Sequence, residues 1–114
     1  MKHFTTREVA KILDLPEARI RSCVRAGLLR PNRGEGRQLQ FTFQDLLLLK
    51  TTKGLFAARV PLKRIRRLLG SLKRQLPEDQ QLSSLTIYAD GRRVLAWDGN
   101  ARWQPDSGQF LFNF

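Results

Sequence analysis

The chain has 114 residues, 41% hydrophobic and 27% charged, a composition that suits a globular domain with a small appendage and excludes a disordered chain. Its formal net charge is +11, and the surplus is uneven: residues 1–76 hold 18 Lys and Arg against 5 Asp and Glu, residues 77–114 hold 3 against 5. Such a balance implies a polyanionic partner such as DNA, RNA, an anionic membrane surface or an acidic protein. A single cysteine, Cys23, excludes an intrachain disulfide and a cysteine-rich zinc site. The longest apolar run, Leu46 to Leu49, is far too short to span a bilayer. No apolar run follows Met1, so a soluble, cytoplasmic protein without a signal peptide is expected.

Phe4 to Leu29 predicts two short helices and a tight turn. Thr5 and Glu8 have capping-box spacing, and Val9, Ile12 and Leu13 form an apolar stripe behind them. Asp14-Leu15 breaks the pattern. Pro16 suits the first position of a second helix, which Gly27 ends. Along Pro16 to Ala26, Ile20, Cys23 and Val24 point one way, and Ala18, Arg21, Ser22 and Arg25 the other. A face of small residues and arginines suits a DNA major groove, because arginine pairs bidentately with guanine or with phosphate. The pattern is a helix-turn-helix candidate, with a plain helical hairpin and a solvated basic face as the alternative.

Residues 28 to 41 place glycines and Arg30, Arg33 and Arg37 between short alternating arms, which reads as a β-hairpin wing able to lie on phosphates. Gly34 and Gly36 are not a nucleotide loop, since no strand-then-helix context surrounds them. Thr42 with Asp45 caps a third helix running to about Ala58, apolar nearly all round at Leu46 to Leu49. Pro61 opens a fourth, Leu62 to about Leu76. Its buried stripe is Leu62, Ile65, Leu68, Leu69, Leu72 and Leu76. Lys63, Arg64, Arg66, Arg67, Lys73 and Arg74 form a second basic surface, for flanking phosphates or simply for solubility.

This order of elements resembles the winged helix-turn-helix domain of the MerR family of bacterial transcription regulators, over about residues 4 to 76. The telling pieces are Phe4-Thr5 with Glu8-Val9-Ala10, Arg21 six residues before Gly27-Leu28-Leu29, and Phe41-Thr42 with Asp45-Leu46. The resemblance implies that Arg21 contacts DNA while the wing and the following helix clamp the backbone. The residues expected at double-stranded DNA are Thr6, Arg7, Ala18, Arg19, Arg21, Ser22, Arg25, Arg33, Arg37 and Lys53. There are departures. Ser22 and Cys23 stand where the family usually carries two aromatics. Leu39 stands where its wing usually has an arginine. A proline-led linker over 77–82 replaces the long dimerisation helix.

Residues 83–114 predict a β-meander appendage. Leu85 to Ala89 alternates and ends on the hairpin signal Asp90-Gly91; Arg93 to Trp97, a turn at Asp98-Gly99, and Ala101 to Gln104 follow. Pro105-Asp106-Ser107-Gly108 then turns into a last strand with Phe110, Phe112 and Phe114 on one face. So small a sheet needs a partner surface. The fold class is therefore α+β: four helices and a wing at 1–76, a linker, and a small antiparallel meander.

Metal ligands do not cluster, no catalytic constellation is present, and neither a cofactor nor an enzymatic activity is expected. A homodimer through the meander edge, a cooperative array on DNA, and a C-terminal extension beyond the last apolar strand stay open. So do two other functions. One is a protein-interaction module of the kind that modulates co-chaperones, motivated by the missing aromatic pair. The other is an architectural, excisionase-like DNA binder.

Overall fold

A computed structural model describes residues 3–78, 80–106 and 109–111, the last three in backbone only. Two compact units divide within the third helix: Met1–Lys53 and Gly54–Phe114.

The first unit opens with α1 (Thr6–Leu13) and α2 (Glu17–Arg25). Thr5 and Glu8 close the predicted capping box: the Glu8 N–H donates to Thr5 Oγ1 at 3.1 Å, and the Thr5 N–H donates to Glu8 Oε1 at 3.0 Å. Asp14 takes a left-handed conformation (φ 54°) and Leu15 N–H donates to the Ala10 carbonyl, which turns the chain between the helices. Pro16 is the N-cap of α2 and not its first helical residue; its extended ψ of 141° leaves Glu17 to begin the helix. Gly27 (φ 80°) ends α2 as expected, with Leu28 N–H returning to the Cys23 carbonyl.

Val9, Ile20, Cys23, Leu29, Phe41, Leu46 and Leu49 form the core of this unit. Ile12, expected in the α1 stripe, is 57% exposed. The buried and half-buried residues of α1 are Thr6, Val9, Ala10 and Leu13, and Ile12 lies about 110° around the helix from their centre at 100° per residue. Two helical turns have only one side to bury, and Val9 takes it.

The wing is β1 (Asn32–Arg33) paired antiparallel with β2 (Leu39–Gln40), Asn32 opposite Gln40. A short 3-10 turn at Glu35–Arg37 joins them, with Gly36 (φ 70°) and Arg37 (φ 64°) both left-handed. Phe4 and Phe41 exchange two backbone hydrogen bonds of 2.8 Å, which ties the approach to α1 to the end of the wing. Thr42 and Asp45 then cap α3 (Phe43–Ala57) reciprocally, at 2.9 and 3.2 Å. Thr52 is buried within α3, its hydroxyl donating to the Leu48 carbonyl at 2.8 Å.

The second unit takes the end of α3, then α4 (Leu62–Gln75) and a four-stranded antiparallel sheet. Its strands are β3 (Thr86–Asp90), β4 (Arg93–Trp97), β5 (Arg102–Gln104) and β6 (Gln109–Leu111), in chain order across the sheet. The meander forms as expected, with one shift: Asp90 pairs with Arg93, so the hairpin loop is Gly91-Arg92. Glycine takes the first loop position, where φ is positive (63°). Ile65, Leu68, Leu69 and Leu72 of α4 are buried, as are Ile87, Val94, Ala96 and Trp103 of the sheet. The partner surface that the sheet required includes α4. Trp103 Nε1–H donates to Gln75 Oε1 at 2.8 Å, and Arg64 donates to both Asp106 Oδ2 (3.1 Å) and the Arg92 carbonyl (3.0 Å). Ser107, Gly108, Phe112, Phe114 and the Phe110 side chain lie outside the described residues.

Candidate nucleic-acid interface

Three elements of the first unit converge. The start of α1 contributes Thr5, Thr6 and Arg7. The outer face of α2 contributes Arg21, Val24 and Arg25, and the wing contributes Arg33, Arg37, Gln38 and Leu39. They line one concavity of about 560 Å³. Five of the ten lining residues are arginines and none is a carboxylate, so every charge that lines the concavity is positive. Capping turns and short loops set this arrangement. The Thr5 box fixes where α1 begins, the Asp14 turn sets α2 against it, and the Phe4–Phe41 bridge brings the wing alongside.

The guanidinium groups are held but exposed. Arg21 Nη2 donates to Glu17 Oε1 at 3.0 Å, one helical turn back. Arg25 donates to Ser22 Oγ at 3.2 Å. Across the wing, Arg33 donates to the Arg37 carbonyl at 2.9 Å. Each of these bonds uses part of an arginine fork and leaves other N–H donors for an anion. Val24 and Leu39 add half-buried apolar surface, suited to a sugar or a thymine methyl.

Six of the ten residues expected from sequence line this concavity: Thr6, Arg7, Arg21, Arg25, Arg33 and Arg37. Ser22 supports Arg25 from beside it. Ala18 and Arg19 are exposed on α2 but do not line the concavity. Lys53 lies elsewhere: its ammonium donates to the Leu13 carbonyl at 2.6 Å, a cation at the negative end of α1. Four lining residues were not anticipated. Val24 follows Arg21 by three positions, which shares a helix face. Thr5 adjoins Thr6 and Arg7. Leu39 begins the wing strand β2, and Gln38 joins it to Arg37.

Behind this face, Cys23 is 1% exposed, and burial pushes its thiol pKa up against a smaller opposing pull from Arg19. It is a core residue of α2 and not a reactive thiolate. Among the described residues no group of three or more His, Cys, Asp or Glu could hold a metal, and no helix is long and apolar enough to cross a membrane.

Two helices joined by a tight turn, a wing, and an arginine-lined outer face define a winged helix-turn-helix DNA-binding protein. The family model for MerR HTH regulatory proteins matches residues 4–72, and the chain belongs to that family. At the family level it is a DNA-binding transcription regulator. No curated protein matches the chain.

Proposed function

We propose that this protein is a sequence-specific regulator of double-stranded DNA that presents α2 to the major groove and lays the wing on the sugar–phosphate backbone. The observation that carries the reading is the convergence of Arg7, Arg21, Arg25, Arg33 and Arg37 on one concavity. Arg21 and Arg25, on the helix, meet base edges or nearby phosphates. Arg33 and Arg37 hold the backbone from the wing, and Thr6 and Arg7 do so from the start of α1. Two copies bind a two-fold site, in keeping with the family's usual dimers.

Selection from a randomised duplex library tests this, followed by titration of the winner against scrambled DNA at two salt concentrations. The expected result is one enriched motif with two-fold symmetry and a specificity ratio that survives the higher salt. No enriched motif, with all binding lost as salt rises, would reject the regulator and leave a generic polyanion binder.

A further inference from the structure

We infer that the outward face of α3 is the surface through which two copies of this chain meet, as an antiparallel pair of α3 helices about a two-fold axis. The inference rests on the two-copy part of the reading above and names the contact that it leaves open. On the inward side of α3, Leu49, Thr52 and Leu55 are buried. On the other side, at 100° per residue, Phe43, Leu47, Lys50, Thr51, Gly54 and Ala57 fall within about 120°. Phe43 is 62% exposed, more than Ile12 or Trp97, the other large apolar side chains that face solvent among the described residues. Lys50, Gly54 and Ala57 are exposed, and Leu47 and Thr51 are half-buried. A solvated helix face is ordinarily polar, whereas here Lys50 is the one charge.

The two ends of this face differ in size. Phe43 and Leu47 stand toward the N-terminus of α3, and Gly54 and Ala57, followed by Ala58, toward its C-terminus. In an antiparallel pair centred between Lys50 and Thr51, Leu47 of each copy falls opposite Gly54 of the other. Phe43 falls opposite Ala57 and Ala58, so large meets small at both ends. A parallel pair in register sets Phe43 on Phe43 and leaves space at Gly54. Within its own chain nothing accounts for Gly54. It lies inside a helix, where glycine costs stability against alanine, and no described atom lies within 4 Å of the place a Cβ would take. A second helix lying close against it does account for a glycine there.

Lys50 lies near the two-fold axis, where two like charges approach. A single polar residue in an apolar seam sets register and partner number at a cost in stability, and a lysine stem carries its ammonium out to the rim. The 15 residues of α3 span about 22 Å. One helix pair of that length is small against the roughly 800 Å² per partner of a standard interface. The pair is therefore weak in the free protein and tightens when adjacent half-sites hold two copies together.

The test is sedimentation equilibrium of the full chain without DNA, from micromolar to millimolar concentration, which separates it from the major-groove reading. The wild type is expected to pass from monomer to dimer. Phe43→Glu should remove the dimer; the site is exposed, an acid suits the first turn of a helix, and circular dichroism checks the fold. Gly54→Leu should weaken the dimer by filling the space that Leu47 of the other copy takes. Lys50→Gln should tighten it several-fold, and added salt should tighten the wild type more than Lys50→Gln. A wild type that stays monomeric throughout overturns the proposal. So does a dimer that persists in Phe43→Glu, which would place the contact elsewhere, such as the β3 edge of the sheet. A Gly54→Leu variant that dimerises more tightly overturns the antiparallel register. If the wild type selects no DNA motif, the major-groove reading falls, and sedimentation still decides this one.

Discussion

The carboxylate of Glu17 lies 3.0 Å from the guanidinium of Arg21, one turn apart on α2, both side chains about half exposed. It is the one acid on the proposed reading helix, and its partner is the arginine most expected to meet DNA. An exposed pair of this kind is worth about 0.3–0.5 kcal/mol to the fold. Its larger effect is on where Arg21 points and on the charge that DNA meets.

Glu17→Gln is therefore expected to leave the melting temperature nearly unchanged, tighten binding to scrambled duplex several-fold and narrow the specificity ratio. Arg21→Ala should cost about 1–3 kcal/mol on the selected duplex and relax the preference at one base position. Parallel titrations of selected and scrambled duplexes check both. Unchanged binding by Arg21→Ala would remove α2 from the groove.

The two reciprocal caps make a stability prediction. Thr5→Ala and Thr42→Ala each remove a hydroxyl that accepts a helix N–H, at 3.1 and 3.2 Å. Each should lower unfolding free energy by about 1 kcal/mol in denaturant titration. Thr5→Ala should also weaken DNA binding, because Thr5 lines the concavity and positions α1; Thr42→Ala, which does not line it, should weaken binding less.

Cys23 reports on the packing of α2. With its thiol buried and its pKa raised, it should react slowly with a thiol-specific disulfide reagent at neutral pH and rapidly once the chain is unfolded. Fast reaction in the native state would mean that α2 does not bury Cys23 in the core of the first unit.

Asp98 closes the turn between β4 and β5. Its carboxylate accepts from the N–H groups of Ala101 and Asn100, both at 2.8 Å, and these bonds, Ala101 first, hold its pKa below the ordinary carboxylate value. A depressed folded-state pKa contributes stability that is complete above the unfolded value and is lost as pH falls through the folded one. Acid titration followed by NMR should show the depressed Asp98 carboxyl. Asp98→Ala should destabilise the sheet near neutral pH and remove that share of its acid sensitivity. An Asp98 that titrates at the ordinary value would refute the turn geometry.

Much of the fold is legible along the chain because its signals are local. Thr5 with Glu8, Thr42 with Asp45, Gly27, Pro61 and Gly91 each act within a few residues, and each marks a helix end or a turn close to where it was expected. The exceptions are positions where local preference is not the deciding force. Ile12 belongs to an apolar stripe by period but is exposed, because the neighbours of α1 cover only one side of a two-turn helix. Val24 reads as inward yet lines the concavity, because a half-buried position between core and groove has no signature of its own. Lys53 is one basic residue among many until its Nζ meets the Leu13 carbonyl, 40 positions away.

By itself, then, the sequence determined the helices, their caps, the wing, the meander and the excess of positive charge, since propensity, capping and net charge depend on residues near one another in the chain. The tertiary structure decided which of the 21 Lys and Arg act together. Arg7, Arg21, Arg25, Arg33 and Arg37 line one concavity because the Asp14 turn and the Phe4–Phe41 bridge bring three elements side by side, while Arg64 is neutralised by Asp106 across α4 and the sheet. Coulomb interactions and hydrogen bonds depend on distance in space, and that distance exists only once the chain has folded.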